Sequence, residues 1–120
     1  MAVAHRGYST ADDTRLRILL GVFDAAHHGM PPSRAELRQR TGLANGSLAH
    51  HIPRLATQGL LALRTGHRRL ILTQDGLAAL AAAGLIAPVA PAPAYTLTTR
   101  GLEFLERAPR QAVQSVEPAE

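Results

Sequence analysis

The sequence predicts a mainly α fold with small β-hairpins, an α+β arrangement, and three observations lead there. Apolar residues recur at helical spacing through the first half of the chain. Two pairs of short apolar runs then flank turn-forming residues, and residues 59–83 align without gaps on residues 84–108. At 120 residues the chain has room for one compact domain and a short appendage. Apolar residues make up 46% of it, yet Tyr8, Phe23, Tyr95 and Phe104 are its only aromatics. The core must therefore be built from Leu, Ile, Val and Ala, a composition suited to packed helices.

The elements follow in order. Residues 1–10 read as a flexible start, and Ser9 to Asp13 supply capping side chains for a first helix. Leu16, Leu19, Leu20 and Phe23 fall at i, i+3, i+4 and i+7, one apolar stripe, and the helix should stop near Gly29 before Pro31 and Pro32. Ser33 and Glu36 have the spacing of a capping box, in which each side chain accepts from a free amide of the first turn. The second helix should run from there to Thr41, with Gly42 as the break. Asn45 or Ser47 then caps a third helix that ends near Gly59. Leu48, Ile52 and Leu55 share one face of it, leaving Ser47, His50, His51 and Arg54 outside. Pro53 removes the bond to the Ala49 carbonyl, so that helix should kink there or begin late. Leu60–Thr65 and Arg68–Thr73 read as strands around a Gly66-His67 turn of type II′. Helix, helix, short turn, helix, hairpin is the order of a winged helix-turn-helix, assigned to residues 11–83.

The repeat has a period of 25, with identities at Gly59/84, Leu60/85, Ala62/87, Leu72/97, Thr73/98, Gly76/101, Leu77/102, Leu80/105 and Ala83/108. Its physical unit is a hairpin opening after a glycine helix stop, followed by a helix capped by Thr73 or Thr98. The second copy, residues 84–108, carries no charge from Leu85 to Thr99. An uncharged tip grips phosphate poorly, so this hairpin should pack against protein rather than DNA, and the unit is a possible dimerisation element. Residues 109–120 lack periodicity and read as a disordered tail.

The segment Gly29-Met30-Pro31-Pro32-Ser33-Arg34-Ala35-Glu36-Leu37, with His51-Ile52-Pro53-Arg54-Leu55 and Gly59, resembles the N-terminal DNA-binding domain of LexA repressors over roughly residues 14–72. The likeness implies that residues Asn45 to His50 read bases in the major groove and that the Gly66-His67 hairpin touches the backbone. The Leu-Thr-x-x-Gly step after the hairpin is similar instead to MarR-like regulators. LexA repressors also carry a Ser-Lys self-cleaving domain, and with no lysine in these 120 residues no such switch is expected of them.

Charge agrees with a nucleic-acid partner. Residues 34–69 hold seven arginines (34, 38, 40, 54, 64, 68 and 69) against Glu36 alone, hence +6, in a chain whose formal charge is +4. Arg64, His67, Arg68 and Arg69 make a basic wing suited to phosphate or the minor groove. Asn45, Ser47, His50, His51 and Arg54 are candidates for base contact, and Arg34 for positioning phosphate, with a local pair to Glu36 or Asp75 as its plainer role. The partner expected is double-stranded DNA, bound by a repressor-like homodimer in the cytoplasm, on the nucleoid. The absence of cysteine excludes disulfides, thiolate metal sites and cysteine nucleophiles, and the absence of lysine excludes Schiff-base chemistry. No enzyme activity, cofactor, metal or membrane span is expected. Two alternatives differ in kind. One is a winged helix used for protein docking in a phage or replication assembly. The other is a metal-sensing repressor using His27-His28 and His50-His51, although neighbouring helix residues diverge by about 100 degrees and make a poor bidentate pair.

Overall fold

A computed structural model describes residues 11–64, 69–91 and 94–107. The elements are α1 (Ala11–His27), α2 (Arg34–Thr41), α3 (Asn45–Thr57), β1 (Leu61–Arg64), β2 (Arg69–Leu72), α4 (Gln74–Ala82), β3 (Ile86–Val89), β4 (Ala94–Leu97) and α5 (Thr99–Glu106). The two hairpins are separate antiparallel pairs, β1 with β2 and β3 with β4. This is the α+β winged-helix arrangement the sequence predicts. The flexible start at 1–10, the tail at 109–120 and the Gly66-His67 turn lie outside the described residues. The β1–β2 register runs from Leu61 opposite Leu72 to Arg64 opposite Arg69.

Helix α1 is the axle of the fold. The stripe Leu16, Leu19, Leu20 and Phe23 does face the core, but burial extends around the whole circumference from Arg17 to Ala25. The reason is tertiary: α2, α3, α4, α5 and β2 all pack against it. Ile18, Leu20, Val22, Leu37, Leu48, Leu55 and Leu80 are fully inaccessible, and Leu85, Ile86 and Phe104 of the second hairpin–helix unit join the same cluster.

Local chemistry sets the boundaries. At α2 the capping box is complete: Ser33 N donates to Glu36 Oε1 (3.0 Å) and Glu36 N to Ser33 Oγ (3.2 Å). Gly42 closes the helix in the left-handed conformation, φ 76°, and donates to Arg38 O. The start of α3 differs from expectation. Ala44 is the N-cap, without a side-chain acceptor, and Asn45 is already helical. The helix therefore does not begin late, and it runs on through Pro53. Because Pro53 is exposed on the outer face, its ring meets solvent where an inward one would disturb the core. Thr57 Oγ1 donates to Pro53 O (3.0 Å) one turn later.

The 25-residue repeat is reproduced bond for bond. Gly59 and Gly84 both end helices at positive φ, 81° and 78°. Leu60 N donates to Leu55 O and Leu85 N to Leu80 O, at 2.9 and 3.0 Å. Thr73 Oγ1 donates to Gly59 O (2.6 Å) and accepts from Gly76 N (3.0 Å). Thr98 does the same with Gly84 O (2.7 Å) and Gly101 N (3.0 Å). Each threonine thus clamps the preceding helix stop to the following helix start. The glycine of Leu-Thr-x-x-Gly is required by a close approach: a Cβ on Gly76 would lie 2.3 Å from Leu60 O, and one on Gly101 2.0 Å from Leu85 O.

The two units differ in what anchors them. Where the first has Ala79, the second has Phe104, which packs under the buried guanidinium of Arg17, 4.6 Å from the ring centroid. Arg17 Nη1 donates to Phe104 O and Arg107 O, both at 2.8 Å, satisfying carbonyls at the end of α5. Burial lowers the Arg17 pKa, nearby Arg107 lowers it further, and Asp13 opposes both.

Candidate nucleic-acid interface

Helix α3 has one dry face and one wet one. Leu48, Ile52 and Leu55 anchor it, and at 100° per residue the side opposite them carries Gly46, His50, Pro53, Arg54 and Thr57, all exposed. His50 and Arg54, four residues apart, form a donor-bearing strip along that side. Asn45 is exposed at the first turn. Ser47 and His51 lie on a flank turned toward α1, where Arg15 Nη2 donates to Gln58 Oε1 (2.8 Å).

His51 is the least free of the predicted residues. It is half-buried, its ring meets that of His50 edge to face at 4.8 Å, and its Nδ1 is buried without a hydrogen-bond partner. Desolvation lowers its pKa below the usual histidine value, and His50, Arg15 and Arg54 push the same way. Burial first, and a positive neighbourhood second, thus disfavour the charged form of the ring. That neighbourhood is the chemical character of the surface, since no acidic residue occurs between Glu36 and Asp75.

The arginines divide by partner. Arg40 pairs with the carboxylate of Asp24 in α1, whose backbone carbonyl lies 2.8 Å from His28 Nδ1. Arg69 Nη1 donates to Pro31 O (2.7 Å) and to Glu36 Oε1 (3.0 Å), so its guanidinium is tied to the start of α2. Glu36 therefore pairs with Arg69, not with Arg34, and the backbone amide of Ser33 holds its pKa low, desolvation opposing and Arg69 adding to the lowering. Arg34, Arg38 and Arg54 stand exposed. Arg64 sits at the end of β1 by its backbone, while His67 and Arg68 lie outside the described residues. The structure thus brings Asn45, Ser47, His50, His51 and Arg54 together on α3 and sets Arg69 apart as a brace.

Several contributors lack a local sequence signal. Leu70 N donates to Pro32 O (2.8 Å) and Ser33 bridges Arg69, so the Pro32–Ser33 segment covers the outer edge of β2 through an isolated β-bridge. A proline pair advertises no such bridge, yet a proline carbonyl still accepts. Arg15 comes from a distant helix. Thr57, by contrast, was readable, because it repeats the His50–Arg54 strip one turn on. A groove of about 480 Å³ lies between the end of α1 and α2, lined by His28, Met30, Glu36 and Arg40 among others. Its charged groups are committed to Asp24 and Arg69. Among the described residues no three His, Asp or Glu side chains are grouped as a metal would need, and no helix is long and apolar enough to cross a membrane.

Two helices joined by a tight turn, the second presenting a polar outer face, followed by a basic hairpin stitched to the first, define a winged helix-turn-helix. Residues 20–70 match the family model of the LexA DNA binding domain. The match supports a LexA-like winged-helix DNA-binding domain in that segment. The second hairpin and α5 lie beyond the match. Comparison with curated proteins and with solved structures gave no match.

Proposed function

We propose that the chain is a sequence-specific, repressor-like regulator that inserts α3 into the major groove of double-stranded DNA and lays its hairpin on the backbone or minor groove. The observation that carries this is the exposed strip of His50 and Arg54 on a helix whose opposite face is fully buried, in a stretch free of acidic residues. Arg54 has the donors to bridge guanine O6 and N7, and His50, Asn45 and Ser47 complete the base-reading set. Arg34, at the start of α2, and Arg64, His67 and Arg68 of the wing supply phosphate contacts. His51 flanks the base-reading residues of α3 on the side turned toward α1. Arg69 acts through position, holding the wing against α2. The protein works without catalysis or cofactor, on the nucleoid in the cytoplasm.

Two copies act together, joined through residues 77–108, because one small module offers few base contacts and a two-fold pair doubles them. Leu80, Leu85, Ile86 and Phe104 are buried within the chain, and Val89 and Leu102, 41% and 47% exposed, are the most exposed large apolar side chains of that unit. Selection from random duplexes at a stated salt concentration tests the reading. A palindromic consensus whose preference changes at one position in Arg54→Ala is expected. Enrichment of no sequence by the wild type would sink it.

A further inference from the structure

The two hairpins have the same edges but not the same neighbours. In an antiparallel ladder, hydrogen-bonded and non-hydrogen-bonded pairs alternate, and residues of the second kind turn their N–H and C=O outward. Thr73 N donates to Leu60 O, which makes Leu70 of β2 outward-facing, and its N–H is the one received by Pro32 O. Thr98 N donates to Leu85 O in the same way, so Tyr95 and Leu97 of β4 face outward. Tyr95 lies 25 residues after Leu70 and is its counterpart. No third strand lies against it: among the described residues, nothing pairs with the outer edge of β4.

Unpaired edges are ordinarily guarded by charge, proline or a cover. The outer edge of β2 is covered by Pro32 and Ser33. That of β1 ends on Arg64, and that of β3 carries Pro88, which the register sets opposite Tyr95 and hence outward, where its missing N–H removes a donor. Within Ala94–Leu97 there is neither charge nor proline. Among the described strands β4 alone has an unguarded edge.

We propose that a second copy of this chain occupies that edge. Strand β4 pairs antiparallel with β4 of the partner about a two-fold axis at Thr96, fusing two hairpins into one four-stranded sheet. The edge is self-complementary: Tyr95 and Leu97 of one protomer meet Leu97 and Tyr95 of its partner, and their outward N–H and C=O groups exchange hydrogen bonds on both sides of the axis. Thr96 then faces Thr96 as a close pair. The lack of any charge from Leu85 to Thr99 means that two copies approach without repulsion, which a charged edge would not permit. This names the interface of the homodimer proposed above and rests on that reading.

The test uses the full chain without DNA, in sedimentation over a concentration series. Wild type is expected to show a reversible monomer–dimer equilibrium. Thr96 is exposed, so Thr96→Lys and Thr96→Glu should fold with unchanged melting temperature. Each should weaken self-association by about tenfold or more through like charges facing across the axis, and a mixture of the two should dimerise again. As a check independent of mutation, the Tyr95 and Leu97 amides of wild type should exchange more slowly as concentration rises. A wild type monomeric throughout overturns the proposal. So does a Thr96→Lys protein that dimerises like wild type, or exchange at Tyr95 and Leu97 that ignores concentration. The last two results leave a homodimer standing on another surface, and all three leave DNA binding to be judged by its own assay.

Discussion

At the scale of single residues, Gly76 and Gly101 do more for the fold than any apolar side chain of similar size could. The carbonyls of Leu60 and Leu85 stand where a methyl group would sit, so the helix can approach the hairpin only if that methyl is missing. Gly101→Ala should destabilise the protein by about 1 to 3 kcal/mol, as overpacking of a rigid backbone contact does, read as a lowered urea midpoint. An unchanged midpoint would mean that α5 is not held to the hairpin as tightly as the Thr98 bonds suggest. His51 makes a prediction about pH. Its folded-state pKa lies below the ordinary 6.5, so the unfolded chain binds a proton more readily than the folded one. Stability is unaffected by this group well above pH 6.5. It falls as the pH drops below that value toward the folded pKa. His51→Gln should flatten the decline in melting temperature between neutral and mildly acid pH, and an identical slope in both proteins would show that the folded surroundings do not disfavour the charged ring.

At the scale of elements, what could be read from the sequence was whatever is decided within one turn of chain. The Ser33–Glu36 box, the glycine helix stops, the Leu48–Ile52–Leu55 stripe and the Leu-Thr-x-x-Gly repeat are all local bonds or local spacings, and the structure carries each of them. Tertiary decisions were illegible. Ala44 caps α3 because Leu43 is buried and fixes the chain's entry, although Asn45 and Ser47 are better capping residues. Nothing near Pro32 announces its contact with the hairpin, since the partner amide belongs to Leu70. Of the candidate site, the α3 residues could be read from helical spacing, but the separate duties of the wing arginines could not, because Glu36 lies 33 residues from Arg69 in sequence. That difference is testable. Arg69→Ala should lower the melting temperature, since the wing loses its tie to Pro31 and Glu36. Arg68→Ala should leave the melting temperature alone and weaken binding to all duplex sequences alike. Equal effects of the two changes on both readouts would erase the distinction.

At the scale of the whole molecule, α1 holds two hairpin–helix units that share a construction but differ in chemistry. The first ends on arginines and is stitched by Arg69 to a helix-turn-helix whose outer face is polar. The second is uncharged through both strands and is locked to α1 by Arg17 and Phe104. One unit therefore suits a polyanion and the other suits protein, and the shared core keeps them in fixed relation. Because the charge is concentrated on one segment of a chain with little net charge elsewhere, attraction to DNA should come from a few defined phosphate contacts.

The most direct measurement of the central claim is the affinity for a short duplex as a function of salt, followed by fluorescence anisotropy from low to physiological ionic strength. On the proposed reading, Arg34, Arg64, Arg68 and neighbouring helix ends supply the phosphate contacts, so that roughly four to six phosphates are neutralised per protomer. The logarithm of the binding constant should then fall against the logarithm of salt concentration with a slope of about −4 to −5. Replacing Arg34 and Arg68 by Ala should reduce that slope by about one for each arginine removed. A binding constant that does not change with salt, or a slope indifferent to both replacements, would contradict DNA as the partner of this surface.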